Sequence, residues 1–138
     1  MDNRATLKAF MQHGGITEDT ESGFLAMFRP YHGLDEDKFH QMMQTLRALA
    51  PDLQDREQID ADLMNALWSI QTYTHEWVLY PQGMLRRNRL ISEAELERVY
   101  LWMSLFSWTV ANLLQGMPVE EAFRNYQDAF PNRQHPPS

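Results

Sequence analysis

The sequence of 138 residues contains no cysteine. This absence excludes disulfide bonds, thiolate zinc sites, iron–sulfur clusters and a cysteine nucleophile. The N-terminal stretch also lacks the apolar run and the small-residue cleavage site of a signal peptide. We therefore expect a protein of the reducing cytoplasm that folds without covalent cross-links.

Glycine is also scarce, with six scattered residues and no glycine-rich phosphate loop. The nucleophile motifs G-x-S-x-G and S-x-x-K are missing as well. Ser104 and Ser107 lie in an apolar stretch, where serine more often bonds to the backbone than attacks a substrate. No motif points to a known family, and we expect neither a cofactor nor an enzymatic activity.

Basic residues are outnumbered, with 12 lysines and arginines against 19 acidic residues and a net charge of −7. Nucleic-acid binding requires a basic surface, so this balance argues against a nucleic-acid partner. An acidic surface steers a protein toward basic partners, although many soluble proteins are acidic for solubility alone.

Strand-like alternation is missing too, and apolar residues recur at helical spacing along the whole chain. Proline or glycine marks most of the expected helix ends. The sequence predicts an all-α fold, an irregular bundle of about six helices, in one domain over residues 1–130 with a disordered tail over 131–138. The six predicted helices cover residues 3–13, 20–29, 35–51, 55–80, 92–116 and 118–130.

The fourth and fifth helices are the longest and carry the most apolar residues. Helix 4 has two apolar stripes, one through Leu67 and Ile70 and a second through Met64 and Trp68, as expected of a helix that packs on two sides. Helix 5 begins with the S-x-x-E capping box of Ser92 and Glu95 (residues 92–95). We predict that helices 4 and 5 form a long central antiparallel hairpin.

An uncharged window runs from residue 99 to residue 119 in helix 5. A membrane span needs about 20 strongly apolar residues, and polar side chains interrupt this window, so we expect no membrane insertion. Apolar residues at helical spacing on one side of the helix predict a core face there, and the opposite side carries Tyr100 and Trp108. We expect helix 1 or 2 to cover that opposite side. Another protein, or a second copy in a homodimer through Tyr100 and Trp108, would satisfy the pattern as well.

Three residues offer a weak alternative of a metal site. Glu36 and His40 are spaced to share a helix face, and His75 would have to join them in three dimensions. The segment HEWVL lacks the second histidine of H-E-x-x-H. Because lone histidines are usually structural or solvated, our main expectation is that the chain holds no metal.

Two charged regions are candidates for a partner-binding surface. Acidic residues gather at the start of helix 4, where capping explains some of them, and arginines cluster with aromatic residues in the helix 4–5 connection. Aromatic residues, methionine and arginine are enriched at protein interfaces. The predicted partner-binding residues are Trp77, Tyr80, Met84, Arg86, Arg87 and Arg89, with Asp55, Glu57, Asp60 and Asp62.

From these observations we expect a small acidic, non-catalytic protein that acts by stoichiometric protein–protein binding, as inhibitors, immunity-type proteins and adaptors do. A helical domain that binds or senses a small molecule is an alternative, because nine methionines and many aromatic residues would also suit an apolar pocket. A second alternative is a metal-dependent enzyme that uses Glu36, His40, His75 and Glu76.

Overall fold

The computed structural model describes residues 4–15, 22–54 and 57–132. Within these residues the regular structure is helical, which confirms the all-α prediction. Two helical pieces are not of the α type: a 3₁₀ turn at Leu25–Met27 and a π-helical turn at His75–Leu79. The α-helices are α1 (Arg4–His13), α2 (Glu36–Gln54), α3 (Ala61–Thr74), α4 (Met84–Arg87), α5 (Glu93–Leu114), α6 (Val119–Ala122) and α7 (Arg124–Ala129).

The predicted second helix, 20–29, is wrong for the residues that the structure describes. Only Leu25–Met27 form a helical turn there, of the 3₁₀ type. Gly23 precedes this turn with a φ of +99°, and a Cβ at this position would lie 2.5 Å from the carbonyl oxygen of Gln12. A close backbone contact with the end of α1 therefore replaces the first turns of the predicted helix.

The predicted end of helix 3 at Pro51 is also wrong, because α2 continues through this proline to Gln54. Pro51 has no N–H to donate, but the loss is confined to the last turn of the helix. Leu53 is buried, and the side-chain amide of Gln54 donates to the backbone carbonyls of Leu113 and Met117. These contacts hold the end of α2 against the end of α5.

Predicted helix 4 starts later than residue 55. Asp60 is the N-cap of α3, and its carboxylate accepts hydrogen bonds from the backbone N–H groups of Asp62 and Leu63. The helix ends in the π-helical turn, where the N–H of Tyr80 bonds to the carbonyl of His75 at 2.8 Å. Gly83 follows, and a Cβ there would lie only 2.2 Å from the Glu76 carbonyl oxygen.

The core lies around α2, which packs against α1 on one side and α5 on the other. Phe39 of α2 stacks on Trp102 of α5 with ring centroids 5.2 Å apart, and Phe24 meets both rings at 6.2 Å. All three aromatic side chains are buried. Burying an aromatic side chain removes about 150–250 Å² from water, so this group is a large part of the core.

α3 packs on α1 and leads into the π-helical turn, which in turn contacts α5. Its main face is buried as predicted, including Leu63, Leu67 and Ile70. The predicted second packing face is wrong, because Met64 is 40% and Trp68 70% exposed. A long antiparallel hairpin of helices 4 and 5 is not confirmed and stays a prediction.

The C-terminal part differs from one continuous helix. α6 and α7 are separate, with Phe123 at the junction in a non-helical conformation. Phe123 and Tyr126 are buried against the core. The start of α5 follows the prediction, with a complete capping box between Ser92 and Glu95. Of the predicted tail, residues 133–138 lie outside the described residues.

None of the described helices is long and apolar enough to cross a membrane. This finding agrees with the rejection of a membrane span over residues 99–119. Helix α5 covers most of that window, and its buried side explains the apolar residues there. Val99, Trp102, Phe106 and Leu113 are all buried, as the helical spacing predicts.

Candidate functional site

The outer side of α5 is exposed, which makes the prediction that helix 1 or 2 covers it wrong. Tyr100 is 57% and Trp108 61% exposed. α1 packs on α2 and α3 instead, and the segment Leu25–Met27 packs on α3. Leu114, the last residue of α5, is 43% exposed. Helix α5 therefore has one core face and one aromatic outer face.

A second exposed apolar line on α3 lies beside this outer face. Met64, Trp68 and Gln71 follow each other at spacings of four and three residues and so share one side of α3. The hydroxyl of Ser107 on α5 donates a 2.8 Å hydrogen bond to Oε1 of Gln71. Trp68 lies within one helical turn of this bond on α3, and Trp108 directly follows Ser107 on α5.

We call this combined surface the apolar face. It lies on the uncharged parts of two helices, residues 63–74 of α3 and 99–114 of α5, in a chain of net charge −7. Each of its large side chains is at least 40% exposed. Exposed patches larger than a few hundred Å² on a monomer usually mark an interaction site. The apolar face consists of Met64, Trp68, Tyr100, Leu101, Trp108 and Leu114.

Sequence reasoning identified Tyr100 and Trp108 but missed the other members of this face. The sequence predicts a packing stripe through Met64 and Trp68, because apolar residues at helical spacing are usually buried. It gives no prediction for Leu101. The seven-residue spacing between Leu101 and Trp108 was the available signal, since residues seven apart lie on one side of a helix.

The predicted contact surface around residues 77–89 is largely engaged within the chain. A guanidinium N–H of Arg86 donates to the carbonyl oxygen of Leu79 at 2.8 Å. The half-buried Trp77 ring lies under the guanidinium of Arg29 at 5.7 Å and beside Tyr73 at 4.9 Å. Met84 packs against the core.

Three members of that surface point outward. Arg87 and Arg89 are exposed, and Tyr80 is 43% exposed. Arg89 has a φ of +56°, in the left-handed region, at the turn before α5. The structure thus leaves these three side chains accessible, and their role in binding stays a prediction.

The acidic cluster is divided between capping and solvent. Asp60 caps α3, and Asp62 lies in its first turn, where the helix dipole favours a negative charge. Glu57 is exposed in the preceding loop. Asp55 lies outside the described residues. Local helix chemistry accounts for Asp60 and Asp62 without a partner, and binding through the cluster stays a prediction.

Of the proposed metal ligands, Glu36 and His40 lie close together, but His75 does not form a group of three with them. His40 is buried, with Nδ1 2.5 Å from the Tyr126 hydroxyl and Nε2 3.6 Å from the Glu36 carboxylate. His75 is exposed and lies beside Tyr80. Among the described residues no group of three histidines or acids is placed to hold a metal ion. The His40 contacts join α2 to α7 and have a structural role.

Two open clefts of about 500 Å³ each lie elsewhere on the surface. One lies between α1 and α2 and is lined mostly by polar side chains, including Gln12, Gln41 and Gln44. The other surrounds Arg29 and Pro30. Several methionines that were considered for an apolar pocket fill the core instead, among them Met42 and Met43.

Three groups, His13, Tyr31 and Glu95, have pKa values that their surroundings shift. Burial, and secondarily the charge of Lys38, lowers the pKa of His13 to about 4. The Tyr31 hydroxyl donates a 2.6 Å hydrogen bond to the Glu95 carboxylate. Burial, followed by this contact, raises the pKa of Tyr31, while the same bond and one from the Ser92 N–H lower the pKa of Glu95. The His13 contact holds Phe24 against the end of α1, and the Tyr31 contact holds the loop around Tyr31 against the start of α5.

Comparison with known proteins found no family, no curated protein and no solved structure that matches the chain.

Proposed function

We propose that this chain acts by stoichiometric, non-catalytic binding to another protein chain, through the apolar face. One observation supports this proposal above the others. Two tryptophans, Trp68 at 70% and Trp108 at 61% exposure, lie on neighbouring uncharged helix surfaces of an acidic protein. Tryptophan and tyrosine are the residues most often found at the energetic centre of protein interfaces.

The chemistry of the face favours a protein partner over a small ligand. The face is spread over two helix surfaces, whereas small-molecule sites are concave and enclose most of the ligand. Two polar side chains beside the apolar face, Gln71 and Ser107, share a hydrogen bond from the Ser107 hydroxyl to Oε1 of Gln71. A partner can therefore cover this hydroxyl donor and this amide oxygen without leaving them unpaired.

The test is capture of binding proteins from the native lysate, with the chain itself present in a second, differently tagged form. Trp108→Glu places a charge in the centre of the face, and Leu90→Glu is a matched control at an exposed apolar residue outside it. We expect the wild type and Leu90→Glu to retain the same protein and Trp108→Glu to lose it. Circular dichroism checks that all three variants keep the same helical content.

Salt separates two modes of binding. Apolar contacts persist as salt concentration rises, whereas steering by the acidic surface weakens. Capture that survives moderate salt supports the apolar face. Capture that is lost with salt and unaffected by Trp108→Glu would overturn the proposal in favour of a basic partner on the acidic surface.

A further inference from the structure

The outer side of α5 carries a repeat with alternating spacings of four and three residues. Such a repeat is the pattern of helices that pack against another helix along their length. Large and small side chains alternate within its middle. The positions are Glu97, Leu101, Ser104, Trp108, Ala111 and Gln115.

We propose that the partner at this face is a second copy of the same chain, bound through α5 in an antiparallel, two-fold symmetric arrangement centred on residue 106. The inference rests on the proposed function, since it names the occupant of the same apolar face. A two-fold interface must be complementary to itself, so residue i of one copy meets j of the other while j meets i.

The sequence of α5 satisfies this requirement in the antiparallel direction. With residue 106 at the centre, Trp108 of one copy lies opposite Ser104 of the other, and Leu101 lies opposite Ala111. We call each pair of facing positions a layer, and both of these layers pair a large side chain with a small one. Alternation of large and small residues across facing positions is what allows two helices to interdigitate without voids or clashes.

The flanking positions agree with the same register. Tyr100 and Leu114 each directly precede a position of the repeat, Leu101 and Gln115. In the antiparallel arrangement centred on residue 106, Tyr100 of one copy and Leu114 of the other lie about 3 Å apart along the axis, at 1.5 Å for each of two residues. Both are exposed in the single chain. The pair would therefore extend the apolar contact along the side where Trp68 of α3 lies.

Charge also favours the antiparallel direction. The acids Glu93 and Glu97 lie at the start of α5, and no charge occurs from residue 99 to residue 119. A parallel pair would place Glu97 beside its own copy, and facing like charges are destabilising. The antiparallel pair places Glu97 opposite the uncharged Gln115 instead.

The exposed aromatic side chains supply about half of the area that a standard interface needs. Trp68, Trp108 and Tyr100 are 70%, 61% and 57% exposed. If each side chain offers about 150–250 Å², these three alone supply roughly 300–450 Å². A standard interface buries about 800 Å² on each partner. Leu101, Leu114 and the small residues between them add to the aromatic contribution.

The first experiment is sedimentation equilibrium of the wild type, Trp108→Ser, Ser104→Trp and the double variant, over a wide range of concentrations. We expect a wild-type dimer of twice the 16.3 kDa chain mass. Trp108→Ser should weaken the dimer by about 30-fold or more, because truncating a central tryptophan costs about 2 kcal/mol or more. Ser104→Trp should weaken it as well, because two tryptophans would then face each other and overpack the contact. The double variant exchanges the large and small partners of one layer and should restore dimerisation.

The second experiment determines the direction of the pair. The chain has no cysteine, so an introduced cysteine is the only thiol. In the antiparallel dimer Leu101→Cys and Ala111→Cys should form a disulfide on oxidation only when the two variants are mixed. Positions 111 in the two copies would lie about 15 Å apart along the axis, at 1.5 Å for each of ten residues. A disulfide within Ala111→Cys alone would require the parallel arrangement and overturn the proposed one.

The outcomes separate this inference from the proposed function. A wild type that is monomeric at every concentration overturns the homodimer. If a different protein is then captured through Trp108, the proposed function still stands. If Trp108→Glu affects neither self-association nor capture, both fail. A dimer that persists in Trp108→Ser and Ser104→Trp would place the interface elsewhere and also overturn the inference.

Discussion

The backbone N–H of Phe24 donates a 3.0 Å hydrogen bond to Nδ1 of His13, across the contact between the end of α1 and the loop that follows. This bond needs an unprotonated Nδ1, so the folded state holds the imidazole neutral. Burial of the ring, with a smaller effect from the Lys38 charge, lowers the pKa of His13 to about 4. Folding is therefore linked to pH through one buried histidine.

We predict that the free energy of unfolding decreases as the pH falls from about 6.5 toward about 4. The unfolded chain binds the His13 proton near its ordinary pKa of 6.5, and the folded chain only near 4. The unfolded state thus holds more protons within this window, and the stability is fully present above it. The full shift corresponds to about 3 kcal/mol. Urea unfolding at a series of pH values measures the slope.

The matched variants for this prediction are His13→Asn and His32→Asn. The asparagine introduced by His13→Asn has an acceptor oxygen but no titrating ring, so the unfolding free energy of this variant should lose most of its pH dependence in this window. His32 is exposed, and its replacement should leave the wild-type slope in place. An unchanged slope in His13→Asn would show that other groups cause the pH dependence.

Gly83 allows a close approach between two backbone segments at the end of the π-helical turn. Its φ is an ordinary −70°, so the constraint is space: a Cβ would lie 2.2 Å from the Glu76 carbonyl oxygen and 3.0 Å from that of Tyr80. We predict that Gly83→Ala lowers the unfolding free energy by about 2 kcal/mol or more. Thermal and urea unfolding measure the loss.

The matched control for Gly83→Ala is the same substitution at Gly116. Its φ is +87°, but a Cβ there meets no atom within 4 Å. Gly116→Ala should therefore cost only the conformational penalty of about 1 kcal/mol. Equal losses in the two variants would contradict a steric origin at Gly83.

The hydroxyls of Thr74 and Thr109 are buried without a hydrogen-bond partner in the part of the chain that the structure describes. Replacement by valine keeps the shape and removes an unpaired polar group, which costs about 1–3 kcal/mol when buried. We predict that Thr109→Val leaves stability unchanged or raises it by up to about 2 kcal/mol. Thr45→Val, which loses bonds to the carbonyls of Gln41 and Met42, should be destabilising by comparison.

Arg86 and Arg87 should differ although they are neighbours. Arg86 donates to the Leu79 carbonyl at the end of the π-helical turn, whereas Arg87 is exposed. Arg86→Gln should lower the unfolding free energy by about 1–3 kcal/mol, the value of a hydrogen bond from a charged donor. Arg87→Gln should stay within about 0.5 kcal/mol of the wild type. Equal stability of the two variants would mean that the Arg86 bond contributes nothing in solution.

The existence of a helix was predictable where the sequence carries both an apolar stripe at helical spacing and a residue that ends the helix. α1 and α5 fit this description. Ser92 caps the start of α5, and Gly116, with its positive φ, follows the C-cap at Gln115, as capping chemistry predicts. Local rules failed where tertiary contacts decide. Pro51 does not end α2 because buried Leu53 and the Gln54 side chain hold the last turn in place.

Of the apolar face, the sequence predicts the part on α5 through Tyr100 and Trp108 but not the part on α3, and the reason is related. A helical stripe is the same whether it faces the core or another molecule, so the stripe through Met64 and Trp68 was read as packing. Which stripe is covered depends on where the other helices lie, and single-helix periodicity does not contain that information. The structure places α1 against α2 and α3, and this arrangement leaves Trp68 and Trp108 exposed.

The distribution of the tryptophans has one more consequence, for optical measurements. Trp102 is 1% exposed in the core, whereas Trp68 and Trp108 lie in solvent, and Trp77 is half-buried beneath a guanidinium group. Fluorescence from the solvent-exposed indoles is open to collisional quenching by iodide, and that from Trp102 is shielded. Trp102 is thus an intrinsic fluorophore of the core, and Trp68 and Trp108 are intrinsic fluorophores of the outer surface. Unfolding exposes Trp102, whereas binding of a partner shields Trp68 and Trp108, so the two events change the emission in different ways without any label.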